Sequence, residues 1–364
     1  MTAPKMKYVR LGNSGLKVSK IIFGCMSYGS PGWRGNNWVL PEKDGLEQIK
    51  FAYEQGINAF DTAATYSDGM SEEILGKAIK QFNLPRDEIV VMTKVFGYTA
   101  WNKLKDDEEG ARTVNQHGLS RKHIFDSVRD SLKRLQLDYI DLLQCHRFDN
   151  DTPIEETMQA LHDVVKAGYV RYVGMSSCWA WQFHAMQTYA ITNKLTPFIS
   201  MQNHHSLLYR EEEREMFPTC KHFGVGIIPW SPLARGMLTR PVSGQKDTAR
   251  GTGDPFVDRY NSLGGAADIV ARVEEVAKKR GVSMAQIALA WSMSKEGVCA
   301  PIIGTTSIQK IVDCLAARCF RPQLKNLVAL EKKKDEAAPL TDIHVQSEMS
   351  TVLLCSTEFA KPAT

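Results

Sequence analysis

Short apolar runs and amphipathic stretches alternate along almost the whole chain, and few folds tolerate that pattern. The apolar runs predicted as strands are Ile21–Cys25, Asn58–Phe60, Ile89–Val95, Tyr139–Cys145, Val170–Met175, Phe198–Met201, Val225–Trp230 and Val298–Ile303. Between them, apolar residues at helical spacing predict helices over Lys43–Gln55, Ser71–Gln81, Ser120–Gln136, Ile154–Ala167, Trp179–Thr192 and Glu211–His222. Two more, Ala267–Arg280 and Met284–Lys295, precede the last strand, and Ser307–Ala316 follows it. Gly56 and Gly168 stand where helices stop, while Ser71 and Ser120 are placed as N-caps. Eight strands with helices between them make a (β/α)8 TIM barrel, an α/β single domain over residues 6–317. A doubly wound sheet is the runner-up, but no G-x-G-x-x-G follows the first strand, as a Rossmann half requires. Residues 318–364 lose the pattern and form a divergent C-terminal tail expected to be partly disordered.

Composition narrows the partners. With 43% hydrophobic and 24% charged residues in a chain of 364, an ordinary soluble core is within reach. A net charge of +4 without a basic stripe argues against nucleic acid and fits one local anion site, such as a phosphate-bearing cofactor. No apolar run approaches the about 18 residues of a membrane span, and MTAPKMKYVR lacks the apolar core of a secretory signal, so a cytoplasmic protein is expected. The 8 cysteines are scattered without C-x-x-C spacing and are expected to be reduced thiols, not zinc ligands. His204 and His205 are adjacent on an extended segment and point to opposite faces, so no shared metal is expected; they are structural or substrate-lining.

Four polar residues lie at or just past the C-terminal ends of successive strands, where barrels keep their chemistry: Asp61, Tyr66, Lys94 and His146. A phenol with its ordinary pKa of about 10 is a poor proton donor–acceptor at neutral pH, and a nearby ammonium brings it into range. Lys94 supplies that charge if the strand ends are neighbours, Asp61 anchors Lys94, and His146 orients a substrate oxygen. The set reads as a carbonyl reductase site. Long loops at Ser27–Pro41 and Phe96–Gly118 overhang the same face, and their Trp33, Trp38, Tyr98 and Trp101 suggest a substrate wall. WSPLARG, after the seventh strand, brings donors and a cation to a place where barrels often hold phosphate. GTTSIQKI opens the last helix and offers Thr305, Thr306 and helix-terminal N–H groups to an anion, with Lys310 one turn in.

Several motifs then converge. YVRLGNSGLKVSKIIFGCMSYG, DTAATYSDGMSEEILGKAI, KRLQLDYIDLLQCHRFD, GYVRYVGMSS, MQNHHSLLYR and WSPLARGMLTR resemble the aldo-keto reductase superfamily over about residues 6–317. They are most similar to its fungal branch of NADP-linked aryl-alcohol dehydrogenases and versiconal hemiacetal acetate reductase. The resemblance implies that Tyr66 is the general acid, that Lys94 and Asp61 tune it, and that His146 orients the carbonyl. It implies NADPH/NADP bound across the barrel mouth. Ser176, Ser177 and Gln202 match the positions that hold the nicotinamide carboxamide, and Trp230 matches the aromatic that stacks on the ring. Ser231, Pro232, Leu233, Ala234, Arg235, Gly236 and Arg240 match the loop around the pyrophosphate, with Gly304, Thr305, Thr306, Lys310 and Asp313 towards the adenosine. Asp313-Cys314 replaces the family's usual Glu-Asn beside the adenine, and the tail departs from the family's pattern beyond Arg318. The expected reaction is NADPH-dependent reduction of an aromatic or polyketide-like aldehyde or ketone in secondary metabolism. The rival reading is a cofactor-binding regulatory subunit on the same barrel.

Overall fold

A computed structural model describes residues 6–99 and 113–317. The chain enters through an antiparallel hairpin, β1 (Tyr8–Arg10) and β2 (Lys17–Ser19), paired Tyr8↔Ser19 and Val9↔Val18. At its turn Gly12 has φ 58°, and a Cβ there would lie 2.5 Å from the Gly224 carbonyl and the Gly226 amide, so only glycine fits.

The strands of the main sheet are β3 (Ile22–Gly24), β4 (Ala59–Asp61), β5 (Val90–Val95), β6 (Ile140–Cys145), β7 (Val170–Ser176), β8 (Phe198–Gln202), β9 (Gly226–Ile227) and β10 (Ile302–Ile303). All neighbours run parallel, and β10 pairs with β3 through Ile302↔Ile22. The ring closes where Ile227 bridges Val298 and Cys299 N donates to Ile227 O at 2.8 Å. Inside it Leu11 and Val18 of the hairpin pack on Ile22, Ala59, Met92, Leu142 and Ile228, so the hairpin plugs the N-terminal end. A larger apolar cluster fills the space between strands and helices. This is the expected (β/α)8 barrel.

The helices are α1 (Glu42–Glu54), α2 (Met70–Gln81), α3 (Arg121–Leu135), α4 (Ile154–Lys166), α5 (Ala180–Thr192), α6 (Met216–Phe223), α7 (Ala249–Gly253), α8 (Pro255–Asn261), α9 (Ala266–Arg280), α10 (Met284–Ser294) and α11 (Ile308–Ala316). Ser120 caps α3 as expected, accepting from His123 N.

Four expectations are corrected. Ser71 does not cap α2: Gly69 holds that place at φ 94°, and the Ser71 hydroxyl donates to the Cys25 carbonyl, tying α2 to the barrel. The seventh and eighth strands are shorter than their apolar runs because Pro229 and Pro301 lack the N–H a ladder needs, though their carbonyls still accept from Ile302 and Ile22. The Glu211–His222 helix is split into a 3-10 turn at Glu211–Glu213 and α6. The short α7 and α8, unforeseen, are set by their caps: Thr248 accepts from Gly251 N, and Asp254 accepts from Phe256 N with Pro255 at the first turn.

No helix among the described residues is long and apolar enough to cross a membrane. The six described cysteines are free, and all but Cys299 are buried. The tail at 318–364 lies outside the described residues.

Candidate active site

The parallel register sets the site. β4 ends at Asp61, beside Met92 of β5; two residues further along β5, Lys94 pairs with Gln144 of β6. Lys94 is only 1% exposed, yet its ammonium has three acceptors. It donates to Asp61 Oδ2 at 2.6 Å, to the Thr62 carbonyl at 2.8 Å and to the Tyr66 hydroxyl oxygen at 3.3 Å. Those match the three protons of an ammonium. Burial alone would lower the Lys94 pKa, but the Asp61 carboxylate and Tyr66 outweigh it and hold the value above its ordinary one. Asp61 is held in turn: its Oδ1 accepts from Gln144 Nε2 at 3.0 Å and from Gln202 Nε2 at 2.9 Å.

Tyr66 opens a 3-10 turn, Tyr66–Gly69, in which Ser67 and Asp68 take φ 49° and 55°. Left-handed non-glycine residues are costly and persist where the surroundings dictate them. Here Gly29 makes room: a Cβ on it would sit 2.1 Å from Ser67 Oγ. Because the phenolic oxygen accepts from Lys94, its own proton must point elsewhere. His146 follows β6, its backbone N bonded to the Val95 carbonyl at 2.9 Å, and its ring meets Tyr66 edge-on at 5.7 Å and 82°. Burial, then the charges of Arg147, Lys94 and Arg34, hold its imidazole well below the usual histidine pKa, so it is neutral at physiological pH.

Tyr66 and His146 line a cleft of about 830 Å³ that runs across the barrel mouth to Lys310 and Asp313. Gln202 and Ser176 form part of its floor; Ser176 Oγ donates to the Gln202 carbonyl at 2.7 Å. Trp230 forms a wall and donates through Nε1 to Ser177 Oγ at 3.0 Å. His204 stacks on Trp230 at 4.2 Å, and Tyr209 stacks on His204 at 4.3 Å. Beyond Trp230 the wall is loop. Arg235 and Arg250 share Asp254, each at 3.0 Å. Arg240 reaches Thr248 at 3.3 Å, and Lys310 donates to Thr306 Oγ1 at 2.9 Å. Asp313 accepts from Gln286 at 2.7 Å.

The cleft therefore gathers Asp61, Tyr66, His146, Ser176, Gln202, Trp230, Ser231, Pro232, Leu233, Arg235, Gly236, Arg240, Gly304, Thr305, Thr306, Lys310, Asp313 and Trp33. Lys94 stands behind this wall. Ser177 and Ala234 do not reach the cavity: Ser177 holds Trp230, and Ala234 is buried beneath the loop. Trp38 lines the cleft, whereas Tyr98 stacks on His117 at 4.8 Å; Trp101 lies outside the described residues. His204 is structural, clamped behind Trp230, and His205 bonds Glu213 at 2.8 Å and stacks on Trp291. Among the described residues no group of three or more His, Cys, Asp or Glu could hold a metal ion.

Sequence reasoning passed over Gln144, Arg34, Arg147, Arg250 and Asp254. Gln144 had a signal: a wholly buried amide within the apolar strand IDLLQC needs a partner. Asp254 had one too, the Asp-Pro pair that opens α8. The arginines had none, since only the folded chain brings them to the cleft.

A (β/α)8 barrel with a buried Lys–Asp pair behind a tyrosine and a neutral histidine, at one end of a cation-lined cleft, defines a dinucleotide-dependent carbonyl oxidoreductase. The chain matches the aldo/keto reductase family model over residues 20–333 and belongs to that family. It is 48% identical over 320 residues to the versiconal hemiacetal acetate reductase of Aspergillus parasiticus, covering 86% of this chain and 92% of that one. It is 45% identical over 353 residues to a Schizosaccharomyces pombe protein with an aryl-alcohol dehydrogenase name, covering 94% and 98%. An aldo-keto reductase of Alternaria alternata is 45% identical over 328 residues, covering 87% and 88%. The protein is an oxidoreductase acting on a carbonyl–alcohol pair with a nicotinamide cofactor.

Proposed function

We propose that this enzyme reduces an aromatic or polyketide-like aldehyde or ketone to its alcohol with NADPH, in the cytosol, as part of secondary metabolism. The observation that carries the reading is the Lys94 ammonium, held by Asp61 and directed at the Tyr66 oxygen. A substrate oxygen in the cleft between Tyr66 and His146 receives the Tyr66 proton as charge develops on it. Lys94 steadies the phenolate left behind, at no cost in reorganisation because its position is already fixed. Neutral His146 orients the same oxygen by hydrogen bonding and carries no net charge into the site. Gln144 and Gln202 keep Asp61 turned towards Lys94. A nicotinamide cofactor, when bound, would supply the hydride. Trp230 would take the ring and the Ser176–Gln202 floor would face its carboxamide, while Ser231, Pro232, Leu233, Arg235, Gly236 and Arg240 would take the pyrophosphate.

NADPH is preferred over NADH on electrostatic grounds. Arg240, Arg250 and Lys310 lie close enough that, after burial, the two arginine charges help lower the Lys310 pKa. Such mutual repulsion is relieved by a dianionic 2′-phosphate. The names of two relatives, a hemiacetal acetate reductase and an aryl-alcohol dehydrogenase, support the aromatic substrate class. The test is steady-state kcat/KM with NADPH and with NADH on matched aromatic and aliphatic aldehydes. The expected result is turnover with NADPH favoured by about tenfold or more. Tight NADPH binding with no turnover would instead support the regulatory subunit.

A further inference from the structure

The cleft wall at Trp230 is the outer layer of a stack three rings deep. His204 and Trp230 form a parallel bridge pair, with Trp230 N donating to the Asn203 carbonyl at 2.8 Å. Residues paired side by side on extended backbone share a face. The imidazole accordingly lies flat on the indole, centroids 4.2 Å and planes 11° apart. A tight turn then brings Tyr209 back: Ser206 N donates to the Tyr209 carbonyl at 3.0 Å and Tyr209 N to the Ser206 carbonyl at 3.1 Å. Tyr209 covers the other face of His204 at 4.3 Å and 12°.

Any flat ring could serve a stack, but stacked rings are free to turn and slide. His204 also hydrogen-bonds through Nε2 to the hydroxyl of Tyr260, which stands on α8 and is 3% exposed. Burial holds the Tyr260 phenol well above its ordinary pKa, so it is a neutral hydroxyl in need of a partner. Two apolar rings of the same shape would pack there without the desolvation cost of a polar pair. What the polar pair adds is a fixed rotation of the imidazole. The indole is fixed at its edge as well, Nε1 donating to Ser177 Oγ at 3.0 Å. Trp230 is thus held on one face and along one edge, and it lines the cleft with what remains.

We infer that His204 and Tyr260 are positioning residues for the dinucleotide: Tyr260 fixes the imidazole, the imidazole fixes the plane of Trp230, and that plane sets the seat of the nicotinamide. This rests on the proposed cofactor reading and extends it to two residues that do not line the cleft.

The test titrates the full-length enzyme with NADPH and with 2′-phospho-ADP-ribose, the same molecule without its nicotinamide, by calorimetry. The ratio of the two affinities isolates the share of binding that the nicotinamide brings. His204→Phe keeps a flat ring and loses the hydrogen bond; Tyr260→Phe loses it from the other side. Each should cut that ratio by about fivefold and leave the affinity for 2′-phospho-ADP-ribose in place. Single-turnover hydride transfer to an aromatic aldehyde should slow by about tenfold. The double variant His204→Phe/Tyr260→Phe leaves no polar partner behind, so it should keep the wild-type urea midpoint and still show the reduced ratio. It keeps the test open should either single variant not fold. A ratio that all the variants leave unchanged, or a parallel fall in both affinities, overturns the inference alone. If the wild type binds NADPH no more tightly than 2′-phospho-ADP-ribose, Trp230 is no seat for the nicotinamide. The cofactor reading of that wall then fails, and this inference falls with it.

Discussion

At the reaction end of the cleft, Asp61, Lys94, Gln144 and Gln202 stand on four barrel strands and direct their hydrogen bonds at one another. At the other end, Arg235, Arg240 and Arg250 stand on a loop and its short helices, and Lys310 on the first turn of α11. Their bonds go to a shared Asp254 or to hydroxyls, and Ser231, Ala234 and Arg235 take positive φ. The difference teaches a division of labour. The proposed proton-transfer group is held by its own hydrogen bonds on the same sheet that folds the barrel. The cation wing is held by one shared, buried carboxylate and by hydroxyls, on loop and helix ends outside the sheet that folds the barrel. Changes at the first end should therefore disturb folding and turnover together, and changes at the second should alter affinity alone.

Among the residues that support Tyr66, the largest expected effect is that of Lys94→Met. It removes the charge beside Tyr66 and leaves a 3%-exposed Asp61 carboxylate without its counter-ion. Turnover should fall about a hundredfold or more, and urea unfolding should show a loss of about 3–5 kcal/mol. Full stability would mean that the amides of Gln144 and Gln202 already satisfy Asp61. Gln144→Leu is next: one donor to Asp61 goes, at about 1–3 kcal/mol in unfolding free energy and a smaller loss of kcat.

Arg240→Ala and Lys310→Ala carry the comparison to the other end. Each should weaken NADPH binding by about tenfold in a fluorescence titration and leave the unfolding midpoint in place; Lys310→Ala should affect NADH little, whereas Arg240→Ala, which also removes a pyrophosphate contact, should weaken NADH in part. Equal weakening of both cofactors would show that these cations do not read the 2′-phosphate. The smallest effect is a pH dependence. With its native pKa held well below 6.5 by burial and by Arg147, Lys94 and Arg34, His146 stays neutral on mild acidification. The unfolded chain takes up that proton first, so its contribution to stability is full above 6.5 and is lost as pH falls towards the native value. His146→Gln should flatten that part of the stability profile, and the wild-type pH–rate profile should show no inflection near 6.5.

Most of the barrel was legible because β-branched runs buried on both faces, such as Ile89–Val95, have few other readings. That Asp61, Tyr66, Lys94 and His146 come together was legible because strand ends share one face. What escaped depended on exchange between distant segments. Ser71 reads locally as a cap until the Cys25 carbonyl claims its hydroxyl. The seventh and eighth strands read as long until their prolines are placed against a neighbour. Arg34 and Arg147 carry no signal in the sequence, because only the fold brings loop and strand end over one cleft. Of the aromatic wall, Trp33 and Trp38 reach the cavity and Tyr98 does not, because His117 offers it a closer partner.

The most direct measurement compares wild type and Tyr66→Phe in single-turnover oxidation of bound NADPH by an aromatic aldehyde, with NADPH affinity titrated in parallel. Tyr66 lines the cleft and its phenol is only one of three acceptors for Lys94. The account predicts unchanged NADPH affinity and a rate lowered by about a thousandfold. A variant that binds NADPH and reduces the aldehyde as fast as wild type would contradict it.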